Sequence, residues 1–171
     1  LELQNADEFI EVLAGLIKRL AVDHLHIVGD IFDRGPCADR IMDLLTTYHS
    51  IDIEWGNHDI LWMGAAAGSR ACIATVIRNN LKYDNMKIME NSYGISLRNL
   101  TLFAEKIYPQ IDPMEAALKA ISVLLFKLEG QVILRNPDYK MEDKLLLHKV
   151  DVKRQVVEIG GKEYKIKKEE F

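Results

Sequence analysis

Cysteine is scarce in this chain: Cys37 and Cys72 are the only two among 171 residues. Two cysteines in a chain of this size, with no secretory segment, point to reduced thiols and a cytoplasmic location rather than a disulfide scaffold. A run of about eighteen apolar residues is also missing, which excludes a membrane-spanning helix. Basic charge is not in excess either. With 22 Lys and Arg against 26 Asp and Glu the formal net charge is −4, and the clustered cations that neutralise a nucleic-acid backbone are absent. No internal repeat or low-complexity tract interrupts the chain. What remains, 49% hydrophobic and 28% charged residues, is the composition of an ordinary globular chain with enough length for one real core.

The most informative stretch runs from Leu25 to Asp59. Its first apolar run, Leu25, Ile27 and Val28, stops at Gly29-Asp30-Ile31-Phe32-Asp33-Arg34-Gly35, and its second, Ile51, Ile53 and Trp55, stops at Gly56-Asn57-His58-Asp59. Ile41, Met42, Leu44 and Leu45 recur at helical spacing between them, so the order strand, helix, strand predicts a crossover unit of a parallel sheet. Ligands gather at the carboxyl ends of such strands. The two polar clusters are therefore expected side by side at one edge.

Each residue type there has a chemical use. Asp30 follows a glycine at a strand end, where close approach of a cation or phosphate is possible. Asp30 and Asn57 both offer oxygen, which suits magnesium or manganese. Arg34 presents a planar fork matched to phosphate. His58 titrates near neutrality and can protonate a departing alkoxide if a carboxylate, here Asp33, keeps it charged and turned correctly.

GDIFDRG and GNHD resemble two signature blocks of the calcineurin-like metallophosphoesterases. The longer strings VDHLHIVGDIFDRGPCADRIMDLL, YHSIDIEWGNHDILWMGAAAGS and RNNLKYDN resemble the middle of the bacterial class 3 fructose-1,6-bisphosphatases, with fainter likeness in YGISLRNL, FKLEG and MEDKLLLHKVD. The resemblance implies hydrolysis of fructose 1,6-bisphosphate to fructose 6-phosphate and phosphate, in gluconeogenesis, by an enzyme with a dinuclear manganese or magnesium centre. It implies metal ligation by Asp30 and Asn57, phosphate binding by Arg34, and an acid pair of His58 with Asp33. The family's upstream Asp-x-His block and two later histidine blocks have no counterpart here. The chain, which starts at Leu1 without an initiator methionine, is therefore expected to be an internal piece of a longer enzyme. Alone it is expected to hold metal weakly or not at all and to lack competent phosphatase activity. A phosphoprotein or dinucleotide phosphatase, or a non-catalytic scaffold that retains the fold, are the alternatives.

The expected fold class is α/β, a partial metallophosphoesterase sheet with its crossover helix, then a helical region and a C-terminal β-hairpin. Residues 1–135 read as the partial core with a helical excursion, and 136–171 as a short helix and hairpin extending the same domain. Asn5 and Glu8 form a capping-box pattern ahead of an apolar face, Phe9, Ile10, Leu13, Leu16, Ile17 and Leu20, expected to pack on the sheet. His24 and His26 share a strand face, and His26 is expected as a hydrogen-bonded, buried or partly buried histidine rather than a ligand. Gly64 and Gly68 suggest close helix packing or a bend, and Trp62 and Met63 a core stripe. Asp112-Pro113-Met114-Glu115 reads as a helix start with the helix stopping by Gly130, Met141 to Lys149 as a short helix, and Gly160-Gly161 as a hairpin turn. The Lys165 to Glu170 run reads as a solvated end. An exposed sheet edge is expected to drive self-association; the substrate partner is the sugar bisphosphate, with no nucleic acid and no membrane.

Overall fold

The computed structural model describes residues 6–166. It is a mixed α/β chain, mostly helical, with a small parallel sheet and a C-terminal antiparallel sheet. Contacts divide it into two compact units, Leu1–Ile60 and Leu61–Phe171.

The first unit contains helix α1 (Ala6–Ala21), strand β1 (Leu25–Ile27), helix α2 (Ala38–Thr46) and strand β2 (Ile51–Ile53). The strands pair in parallel, Leu25 with Ile51, His26 with Asp52 and Ile27 with Ile53. Because side chains alternate along a strand, Leu25, Ile27, Ile51 and Ile53 share one face, and His26 and Asp52 stand on the other. Helix α2 buries Ala38 and Leu45. Helix α1 departs from expectation: it buries no residue, and Phe9, Leu16 and Leu20 are among its exposed side chains. Amphipathic spacing says which face of a helix is apolar, and burial then needs a partner surface, which the described residues of the first unit do not supply to α1. Asn5, the proposed cap, lies outside the described residues.

Helix α3 (Asn57–Ala66) starts at the end of the first unit and continues into the second. There follow α4 (Arg70–Lys82), a π-helical turn (Ile88–Ser92), α5 (Arg98–Ile107) and α6 (Pro113–Arg135). The break between α3 and α4 falls at Gly68, at φ +87°, and Ser69 caps α4 by accepting from the Cys72 N–H at 3.4 Å. A Cβ on Gly64 would stand 2.6 Å from Cys72 Sγ, so this glycine permits the close packing its position suggested. The core gathers Ala74 and Val76 of α4, Met89, Leu97, Ala104 of α5, and Ala116, Ala117, Ala120, Ile121 and Leu125 of α6. Its alanines let helix backbones approach closely, and Met89, 1% exposed, is the largest fully buried side chain among the described residues. Trp62 packs against this core, whereas Met63 is exposed. Successive helical positions point about 100° apart, so packing at Trp62 does not carry Met63 with it.

Helix α6 begins as expected, with Asp112 Oδ1 accepting from the Met114 and Glu115 N–H groups at 2.9 and 3.3 Å. It does not stop by Gly130 but runs to Arg135. One glycine weakens a helix by only about 1 kcal/mol, and burial of Gly130 and Ile133 offsets it. The stop comes from Pro137, with Asn136 as C-cap. The predicted short helix is instead a series of 3₁₀ turns, Pro137–Tyr139, Glu142–Lys144 and Leu146–Lys149.

The hairpin is present as β4 (Val156–Ile159) and β5 (Lys162–Lys165), joined by Gly160 and Gly161 at φ +59° and +76°. Positive φ at both central residues is the requirement of the type I′ hairpin turn. A third strand not anticipated, β3 (Val150–Asp151), pairs antiparallel with β4. Asp151 Oδ1 accepts from the Lys153 and Arg154 N–H groups, both at 2.9 Å, turning the chain between them. Among the described residues, no helix is long and apolar enough to cross a membrane.

The packing around Met89 yields a stability expectation. Met89→Ala should lower the unfolding free energy by about 2–5 kcal/mol, and Asp112→Ala by about 1 kcal/mol. Urea denaturation followed by circular dichroism, with equal losses for the two variants as the contrary result, checks this ranking.

Candidate functional site

Parallel pairing brings the two polar loops together. The ladder continues past the strands with the Glu54 N–H donating to the Ile27 carbonyl at 2.8 Å, so both chains leave the sheet at the same edge. The first loop then crosses the second at two glycines. A Cβ on Gly29, which sits at φ +85°, would lie 2.4 Å from Gly56 N, and a Cβ on Gly56 would lie 2.1 Å from Asp30 Oδ1 and 2.7 Å from Asp30 N. No side chain can occupy either place.

Of the five residues singled out in the sequence, Asp30, Asp33 and Arg34 lie on the first loop and Asn57 and His58 open α3 at the end of the second, and the structure joins several of them directly. Asp30 takes a left-handed backbone, φ +54°, and its Oδ1 accepts the His58 backbone N–H at 3.1 Å. The His58 ring is half-buried, with Nε2 3.1 Å from Asp33 Oδ1. The same Asp33 oxygen stands 3.7 Å from Arg34 Nε. Asn57 opens α3, adjacent to His58, and is exposed. A carboxylate facing a histidine ring orients that ring, and an exposed guanidinium next to it can meet a phosphoryl group.

Asp59 was not singled out in the sequence. It is buried, 7% exposed, and its carboxylate accepts three backbone N–H groups: Asp30 at 2.6 Å and Gly56 at 2.9 Å on Oδ2, and Phe32 at 3.1 Å on Oδ1. Hydrogen bonds to a charged acceptor are worth roughly 1.5–3 kcal/mol each, against roughly 1–2 kcal/mol for holding a non-glycine residue left-handed. The carboxylate therefore outweighs the strain at Asp30. The signal in the sequence was an acid three positions beyond Gly56, where it can bond back to the N-cap N–H as in a capping box.

The polar face of the parallel sheet carries a second cluster. Asp52 binds His24 Nε2 through Oδ1 at 2.5 Å and His26 Nδ1 through Oδ2 at 2.7 Å, and His24 Nδ1 lies 2.8 Å from Ser50 Oγ. Both histidines are exposed, not buried, and no other described residue of the first unit covers this face. The hydrogen bond from His24 and then that from His26 hold the Asp52 carboxyl below its ordinary value.

Comparison with known proteins ties the geometry to a family. The profile described as Firmicute fructose-1,6-bisphosphatase matches residues 1–171. The chain belongs to this family. Among curated relatives, the fructose-1,6-bisphosphatase class 3 of Listeria monocytogenes serovar 1/2a is 48% identical over 97% of this chain and 28% of its own length. One from Clostridium beijerinckii is 48% identical over 98% of this chain and 28% of its own, and one from Phocaeicola vulgatus is 45% identical over 96% and 28%. The chain thus spans a little over a quarter of the curated relatives it matches. No solved structure gives a significant match.

The dinuclear centre implied by resemblance to the fructose-1,6-bisphosphatases can be tested against these side chains. Asp30 and Asn57 supply oxygen donors of the right chemistry, and one Asp30 oxygen already accepts a backbone N–H. Among the described residues no three His, Cys, Asp or Glu side chains converge into a group that could hold a metal ion. The donor set is too small to cage two cations.

Two expectations follow from the loops and the histidine cluster. Gly56→Ala should cost at least about 2 kcal/mol, the scale of overpacking against backbone, and shift the amide resonances of Asp30 and His58; a variant as stable as the parent would contradict the crossing. Asp52, with a folded pKa below its unfolded value, contributes stability that is present above the unfolded value and lost as pH falls through the folded one. Acid titration of Asp52→Asn should accordingly show a shallower stability loss below the ordinary aspartate range than the parent, and superimposable curves would argue otherwise.

Proposed function

We propose that this chain supplies the phosphate-binding and proton-donating part of a fructose-1,6-bisphosphatase built on a metallophosphoesterase-type sheet. The observation that carries the reading is the 3.1 Å approach of His58 Nε2 to Asp33 Oδ1, in a chain 45–48% identical to enzymes of that name. Hydrolysis of a sugar phosphate breaks the bond from phosphorus to the sugar oxygen and adds the oxygen of water to phosphorus. The departing sugar oxygen needs a proton. His58 gives it, Asp33 holds the ring aimed, and Arg34 meets the phosphoryl oxygens.

Asp30 and Asn57 are proposed to face manganese or magnesium, whose preference for oxygen they meet, with the remaining ligands from polypeptide outside this chain. By itself the chain is then expected to show no turnover near that of its longer relatives. The names of those relatives favour a sugar bisphosphate over a phosphopeptide or dinucleotide, and the assembled acid pair disfavours a scaffold that has lost its chemistry.

A chimera tests this: the Listeria monocytogenes enzyme with its matching segment replaced by this chain. It should hydrolyse fructose 1,6-bisphosphate in preference to a phosphopeptide. Asp33→Asn in the chimera should lower kcat by about a hundredfold, the usual scale of acid–base catalysis, with KM held within about threefold. Undiminished turnover would remove the pair from the mechanism, and faster cleavage of the phosphopeptide would overturn the substrate assignment.

A further inference from the structure

We infer that Asp59 is the positioning residue of this site: its buried carboxylate sets the backbones of both loops so that Asp30, Asp33 and His58 are presented together. The inference rests on the bisphosphatase reading for the reaction being served, and on the geometry of the first unit for the positioning itself.

Among the described residues Asp59 is the one buried side chain that can carry a charge; the other buried polar group is Asn80. A buried carboxylate must be compensated, normally by a cation or by several donors. Here the carboxylate's hydrogen-bond partners among the described residues are backbone N–H groups, and all belong to the two loops: Asp30 and Phe32 on one, Gly56 on the other. Each lies within two residues of a group that the proposed reaction uses. Asp59 itself is too enclosed to touch substrate, so it acts through the others.

The bonds close a ring. Asp59 fixes the Asp30 N–H, Asp30 returns through Oδ1 to the His58 N–H, and His58 is joined to Asp59 through the chain. With its backbone held on both sides, His58 directs its ring at Asp33 Oδ1. The Phe32 N–H, one residue before Asp33, is held by the second Asp59 oxygen. Thus one carboxylate sets the spacing of the acid and of the group that orients it. An amide cannot do the same. If Asn at this position places its oxygen toward Asp30 and Gly56, its NH₂ faces the Phe32 N–H; turned over, it faces the other two. Either orientation opposes donor to donor.

The test compares Asp59→Asn and Asp59→Glu. In the 171-residue chain, amide hydrogen exchange should show Asp59→Asn losing protection by at least about tenfold at Asp30, Phe32 or Gly56, while Ile41 and Leu45 of α2 keep theirs. In the chimera the same variant should lower kcat by about ten- to a hundredfold with KM within about threefold. Asp59→Glu, which keeps both acceptor oxygens, should recover most of that kcat. Unchanged protection at all three loop amides would overturn the inference. So would equal loss in α2, which would make Asp59 a fold residue, or a Glu variant no better than Asn. An inactive parent chimera would count against the bisphosphatase reading alone, because the exchange measurement decides positioning without turnover.

Discussion

A carboxylate with three backbone donors holds the edge of the parallel sheet together. Asp59 bonds the N-cap N–H of its own helix and reaches across to the loop that follows the first strand. Val28 and Trp55, which flank the crossing, are exposed. The bonds that join the loops are electrostatic and directional. The cost of a buried charge is met by charge-assisted hydrogen bonds, and those bonds impose geometry in a way that packing of exposed side chains cannot. The left-handed Asp30 and the two glycines at the crossing are the backbone conditions under which the carboxylate can reach all three donors.

The division of labour between the two units is chemical. The first carries the acid pair, the arginine and the oxygen donors; the second carries most of the buried apolar surface, in α4, α5 and α6. Membership of the Firmicute fructose-1,6-bisphosphatase family gives this a sense. On the proposed reading, a quarter of such a polypeptide would supply residues that bind and protonate, with the remaining metal ligands outside this chain. Metal affinity falls with each ligand removed, whereas a hydrogen-bonded His–Asp pair needs only its two loops. A partial site can therefore be ordered before it is complete.

The exposed apolar face of α1 and the exposed histidines of β1 share one explanation. Both were read from periodicity, which marks apolar and polar faces but contains no information about whether a partner surface is present. Phe9, Leu16 and Leu20 are apolar on schedule and remain exposed; His24 and His26 share a face on schedule and find Asp52 across the ladder instead of a buried niche.

The sequence by itself determined the parallel strand, helix, strand unit, the two loops at its edge, the Asp112 cap and the Gly160-Gly161 turn. Each depends on local rules: alternation, helical spacing, an acceptor before a proline, two residues free to take positive φ. It also marked Asp30, Asp33, Arg34, Asn57 and His58, because their side-chain chemistry is visible in one dimension. Tertiary structure decided the rest. That α6 passes Gly130 depends on burial of that turn, which outweighs a weak local preference. That β3 pairs with β4 depends on a turn made by Asp151 that no alternating pattern announces. Asp59 belongs to this second group. Its role is set by donors contributed from two loops, 27 and 29 residues away along the chain for Phe32 and Asp30, and only the fold brings those N–H groups to one carboxylate.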